Sequence, residues 1–164
     1  MPTNTYVALD KITTTGSVAS VEFTSISSAY TDLRLVIEVI GVGTGSVGAR
    51  FNSDSGTNYS ITRVGGNGST ASSNRATSQT LMDLSWSAAY TSSTRLLETV
   101  DFMNYGNSTT YKTVLSRAGK ADNAVDAVVG LWRSTSAITS IQLIAQTANF
   151  ASGSTFSLYA IKCA

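Results

Sequence analysis

Apolar and polar residues alternate with a period of two along much of this chain. Val21 and Phe23 alternate with Glu22 and Thr24, and Leu33, Leu35, Ile37 and Val39 alternate with Arg34, Val36, Glu38 and Ile40. Val100 and Phe102 follow the same rule, as do Ile141 and Leu143, and then Phe156, Leu158 and Ala160. Successive side chains of an extended strand point to opposite faces, so one apolar face per run predicts half-buried strands in antiparallel sheets. Clusters of Gly, Asn, Ser and Asp at 14–17, 53–56, 65–68, 104–107 and 152–154 separate the runs. The pattern places strands at 5–12, 18–25, 33–41, 46–52, 58–64, 79–85, 95–103, 110–117, 125–133, 138–145 and 155–162. Short strands at such spacing read as an all-β sandwich or barrel. The segment 121–131 competes as a helix, but Gly130 and its valines weaken that reading. Residues 65–79, polar and glycine-rich, read as a loop projecting into solvent.

One stretch carries a literal nucleotide-binding spacing. Gly43, Gly45 and Gly48 form G-x-G-x-x-G after an apolar run. A dinucleotide fingerprint needs a buried parallel strand before the glycines and a helix opening on the last. Here Arg34 and Glu38 wet one face of the preceding strand, and residues 49–56 alternate briefly and then turn. Without a helix N-terminus there is no seat for a pyrophosphate. The glycines are expected to form a hairpin loop between strands 33–41 and 46–52, and no cofactor is implied.

Composition narrows the chemistry further. The 164 residues have no compositional break, which predicts a single domain over 1–164. With 11 basic and 10 acidic residues scattered singly, there is no electrostatic footprint for nucleic acid. No apolar run reaches the roughly 18 residues of a membrane-spanning helix, and the N-terminus lacks the pattern of a secretory signal. Histidine is absent, which removes the commonest general base and metal ligand. Cys163 is the one cysteine and can form no internal disulfide. Ser and Thr number 25 and 23, so hydroxyls rather than charges wet the surface.

The remaining candidate sites have bland readings. Residues 52–58 space oxygen ligands as a calcium loop would, but the sixth position is Thr57 and the twelfth Arg63. Asn52, Asp54, Gly56 and Asn58 are therefore assigned to a structural turn whose side chains bond their own backbone. No motif selects a carboxylate pair for glycoside hydrolysis, and most acids are expected on strand exteriors or in turns. Tyr59, Tyr105, Tyr111, Trp86 and Trp132 could form a sugar platform, although aromatics at strand positions are mostly core. No catalytic residue, metal ligand or cofactor site is assigned, and the chain is not expected to be an enzyme.

Three stretches together are more specific. "VASVEFTSISSAYTDLRLVIEV" (18–39), "ARFNSDSGTNYSITRVGGNGS" (49–69) and "VVGLWRSTSAITSIQLIAQTANFASGSTFSLYAIK" (128–162) resemble a β-rich module of tailed-phage virion proteins. The chain keeps Phe23, Tyr30, Asp32, Leu33, Arg50, Phe51, Asn52, Asp54, Asn58, Tyr59, Trp132, Ile138, Ile141, Leu143, Phe150, Tyr159, Ile161 and Lys162 of that pattern, and has Ala160 where glycine is usual. The resemblance implies a jelly-roll-like antiparallel β-sandwich and a structural role in the virion, on the capsid or in tail fibres. The chain reads as the module alone, without a visible shaft or tail-attachment segment, which favours a capsid decoration (cement) protein. Such a protein would be made in the host bacterial cytoplasm and seated on the outer capsid surface. Its expected partner is the major capsid protein and its expected state a homotrimer, with no nucleic acid and no membrane. Pro2, Thr3, Asn4 and Thr5 are candidates for an arm reaching the capsid or a neighbouring subunit. The alternative is a tail-fibre or receptor-binding module that recognises host surface glycans.

Overall fold

The computed structural model describes residues 5–162. Among them are twelve strands and no helix: β1 (Tyr6–Thr13), β2 (Ser20–Phe23), β3 (Asp32–Val39), β4 (Ser46–Phe51), β5 (Tyr59–Gly66), β6 (Ala71–Gln79), β7 (Met82–Asp83), β8 (Leu96–Phe102), β9 (Lys112–Lys120), β10 (Ala124–Trp132), β11 (Ile141–Gln146) and β12 (Thr155–Ile161). They form two sheets, ordered β1-β12-β3-β8-β9-β10-β5-β6 and β2-β11-β4-β7, with every ladder antiparallel.

The order of pairing identifies the architecture. Set aside the hairpins β5–β6 and β9–β10, and eight strands remain, in which first pairs with last (β1 with β12), second with second-last (β2 with β11), and so inward to β3 with β8 and β4 with β7. That is a long hairpin rolled into two facing sheets, the jelly roll. The two extra hairpins are inserted after β4 and after β8, and both extend the same sheet beyond β8.

Alternating apolar side chains of the two sheets meet in the middle. On β3, Leu33, Leu35, Ile37 and Val39 are buried, and on β8, Leu96, Val100 and Phe102. Phe51 of β4 bridges the layers, its ring edge-on to Phe102 at 5.6 Å and to Trp132 of β10 at 5.5 Å. Burying each such side chain contributes about 1.5–3 kcal/mol, and shape complementarity then selects one arrangement.

Two sequence expectations need correction. Residues 65–79 are not a projecting loop: β5 runs to Gly66, a tip at 67–70 turns the chain, and β6 returns along β5. Segment 121–131, where Gly130 and the valines argued against a helix, is extended and contributes most of β10. Most acids lie on strand exteriors or in turns, as expected, while Glu98 and Asp126 are buried.

The glycine run is the second. It does not close a hairpin, because β3 and β4 lie in different sheets, so the glycines cross from one layer to the other. What demands Gly45, and Gly41 before the run, is Tyr90. Its ring lies against Gly41 and Gly45, and its hydroxyl donates to Ala148 O at 2.5 Å. A Cβ on Gly45 would stand 2.5 Å from Gln146 O and 2.6 Å from the Tyr90 hydroxyl oxygen. Gly45→Ala is therefore expected to destabilise the fold by about 2 kcal/mol, as overpacking does. Urea denaturation of the G45A and G45A/Y90F proteins checks this, since removing the hydroxyl should restore part of the loss.

Candidate functional site

The inserted hairpins create a surface that the core does not need. In β8, β9, β10 and β5 the inward side chains are covered by the smaller sheet and by residues 84–95, while the outward ones face solvent. Three cross-strand rows map that outer face. One runs Arg34, Asp101, Leu115, Val129, Thr62, Arg75; the next Val36, Thr99, Arg117, Ala127, Val64, Ser73; the third Glu38, Leu97, Gly119, Val125, Gly66, Ala71. A solvated antiparallel face is ordinarily polar. Here Leu97, Leu115, Val125, Val129, Val64 and Val36 are all exposed, the first 60% and Val125 64%. Leu115, Val129, Val64 and Val125 are directly paired or diagonal neighbours and form one apolar cluster; Val36 and Leu97 are diagonal neighbours of each other and extend it across Gly119, which has no side chain to intervene.

Charge frames the patch. Arg34 grips Asp101 with two nitrogens, at 2.6 and 3.0 Å, and this carboxylate raises the guanidinium pKa further. Arg117 stands in the middle of the face, its side chain 68% exposed and 3.9 Å from Asp101. Two shallow depressions indent the surface. One, of about 570 Å³, lies among Thr62, Val64, Leu115, Arg117, Ala127 and Val129. The other, of about 820 Å³, lies among Leu97, Gly119, Val125 and the turn at 120–123. An apolar floor with an exposed arginine at its centre and a polar rim is the composition of a protein-docking surface.

The assigned turn lies at the opposite end of β5. Asn52 and Ser53 adopt left-handed φ of 51° and 58°, a conformation that asparagine tolerates better than most residues. The Asn52 side chain donates to Ala137 O at 2.8 Å and accepts from Thr139 N and Ser140 N at 2.8 and 3.1 Å. Asp54 accepts from Gly56 N at 2.8 Å, from Asn58 Nδ2 at 2.9 Å and from Trp132 Nε1 at 2.7 Å. Burial alone would raise the Asp54 pKa, but the bonds from Trp132, Asn58 and Gly56 outweigh it and hold the carboxyl below its ordinary value. The turn thus clamps two distant segments to the end of the sandwich. Of the arm residues, Thr5 is exposed and its carbonyl accepts from Lys162 N at 3.0 Å. Pro2, Thr3 and Asn4 lie outside the described residues.

No protein-family model matches the chain, and no curated protein matches it. Among solved structures it is similar to the coat protein of Tobacco streak virus, solved as a dimer, at 11% identity across 100% of this chain and 90% of that one, with a TM-score of 0.27.

The patch residues were not singled out by alternation. Their signal is a doublet: Leu96-Leu97, Val114-Leu115, Ala124-Val125 and Val128-Val129 each place an apolar residue on both faces of a strand. Of the five aromatics considered for a sugar platform, Tyr59, Tyr105 and Trp132 are buried, whereas Trp86 and Tyr111 are exposed. Among the described residues, no group of three or more His, Cys, Asp and Glu is placed to hold a metal ion.

Proposed function

We propose that this chain is a phage capsid decoration protein that docks the outer face of β8, β9, β10 and β5 on the major capsid protein and stabilises the head against internal pressure. The observation that carries the reading is the apolar cluster of Val64, Leu115, Val125 and Val129, with Val36 and Leu97 exposed beside it on the same face. Six large apolar side chains on a solvated face favour a covering protein surface. The role needs no chemistry: each copy adds interface area across a joint between capsid subunits, and symmetry multiplies a modest contact. The homotrimer belongs to this reading as the state that fits three-fold positions of a lattice. Residues 2–5 belong to it as the arm to a neighbour, its base held where Lys162 N–H meets the Thr5 carbonyl.

Copy number tests the assignment. Quantitative mass spectrometry of purified virions should find the chain in the hundreds, in fixed ratio to the major capsid protein. A few to a few dozen copies would move it to the tail or a vertex and make the receptor-binding module the better reading. The face itself is tested by Val125→Lys and Val129→Lys. Both side chains point to solvent, so stability should change by less than about 1 kcal/mol. Co-sedimentation with heads lacking the protein should nevertheless be lost. Undiminished binding by the double variant would place the contact elsewhere.

A further inference from the structure

On the other side of the same extended sheet, a tryptophan is held in the open. Trp86 lies in the segment that follows β7 and is 56% exposed. Its ring rests on the Arg63 guanidinium, whose Cζ is 3.4 Å from the ring centroid. Arg63 is only 8% exposed, so the indole covers it on one side and the sheet on the other, leaving the second ring face to solvent. Burial lowers the Arg63 pKa, and the fields of Asp83 and Asp126 oppose that shift and keep the cation in place. Asp126, itself buried, also accepts from the backbone N–H of Trp86 at 2.7 Å and of Ala88 at 2.8 Å. One carboxylate therefore fixes the backbone under the indole and faces the cation beneath its ring. Immobilisation is completed before any ligand arrives, which is what makes an exposed aromatic an effective anchor.

A polar groove of about 420 Å³ begins at the next residue. It is lined by Ser87, Ser72, Thr70, Asn67 and Asn123, all hydroxyls and amides without charge. Ser72 pairs with Gly65, two residues along β5 from Arg63 and so on the same face, which puts the groove one cross-strand row beyond the cation under the tryptophan. A flat apolar ring beside uncharged donors and acceptors matches a pyranose, which has a C–H face to stack and equatorial hydroxyls to bond.

We infer that Trp86 and the groove at Ser72, Ser87 and Asn123 form a binding site for a neutral saccharide. The site goes beyond the docking role and stands on different residues. Arg63 and Asp126 point to the inner side of the sheet, whereas their chain neighbours Val64 and Val125 point to the outer side. A copy seated through the outer face would keep the tryptophan on the side away from the capsid.

The chain contains two tryptophans, and Trp132 is buried, so ligand-induced fluorescence changes report Trp86. Purified protein is titrated with neutral gluco-, galacto-, manno- and chito-oligosaccharides and with host surface polysaccharide. Saturable quenching or a blue shift at millimolar or lower concentration is expected. Trp86→Ala, read by calorimetry, and Ser72→Trp, which fills the groove from an exposed strand position, should each weaken binding at least ten-fold. Trp86→Ala uncovers Arg63 and should lower Tm by roughly 2–4 °C, Ser72→Trp should leave it near wild type, and both should keep head binding. No saturable response to any of these saccharides, or binding that survives both substitutions, would overturn the site. Loss of head binding in W86A with no saccharide response would also overturn it and make Trp86 a protein contact. Failure of V125K/V129K to disturb docking would bear on the proposed function alone.

Discussion

Asp54→Ala is expected to lower the stability of the fold by about 3 kcal/mol, or roughly 6–12 °C in Tm for a chain of this size. The carboxylate is the shared acceptor for three donors on separate parts of the chain: Gly56 N, Asn58 Nδ2 and Trp132 Nε1. Trp132 is buried, so its indole N–H cannot turn to water when the acceptor is removed, and an unmet buried donor alone costs about 1–3 kcal/mol. The rest comes from the turn, because the same residue's backbone carbonyl accepts from the Tyr59 hydroxyl at 2.9 Å, and that hydroxyl in turn accepts from Phe51 N at 3.1 Å. Asp54→Asn should lose less than alanine but not recover wild type. Whichever way its amide is set, an NH2 faces a donor that the carboxylate accepted. Since the native carboxyl titrates below its unfolded value of 3.8, its contribution is complete above that pH and is lost as pH falls through the lowered value. Urea curves at pH 7 and pH 3 read both effects. Equal stability of D54A and wild type at pH 7 would show that the turn is not coupled to Trp132.

The same turn marks how far the sequence is legible. Asn52, Asp54, Gly56 and Asn58 stand out because a turn side chain bonds within a few residues of itself, and that range is visible in a local string. The tether from Asn52 to 137–140 is not visible, because nothing near either partner announces the other. Strands β3, β8, β11 and β12 are legible because each has one wet and one buried face. β6 is not: it is an edge strand with almost every side chain exposed, so its residues Ala71–Gln79 alternate in nothing. Alternation also says which side chains face inward without saying which strand lies alongside. For that reason 33–41 and 46–52 read as a hairpin, although β3 pairs with β12 and β8 while β4 pairs with β11 and β7. The buried polar residues fail for a related reason. Arg63, Lys112, Glu98 and Asp126 occupy inward positions in strands whose period says apolar, and only the tertiary partners explain them. Lys112, for example, donates from Nζ to the carbonyls of Thr110 and Thr135 at 2.8 and 3.1 Å.

Glu98 is where such an inward charge has the largest expected consequence. It is 2% exposed on β8, accepts from the Ser116 hydroxyl at 2.6 Å, and its second oxygen is buried without a hydrogen-bond partner among the described residues. Burial pushes its pKa up to about 8; the Ser116 bond works against this and the Asp126 charge adds to it. The unfolded chain releases the same proton near 4.5. Between those values the native state binds more protons, so stability falls as pH rises from about 4.5 toward 8 and is flat with respect to this group outside that window. The loss is on the order of 5 kcal/mol by pH 9. Because the chain has no histidine, no other side chain of ordinary pKa titrates between about pH 5 and 7, and a falling stability there is assigned to Glu98. Glu98→Gln keeps the shape of the protonated acid and the acceptor for Ser116 but carries no proton to lose. The E98Q protein should match wild type near pH 4.5, exceed it increasingly above pH 6, and show a flat profile between pH 5 and 7 by urea denaturation. Parallel profiles for the two proteins would mean that the carboxyl is already ionised in the native state, and that the sheet accommodates the anion through a partner other than Ser116.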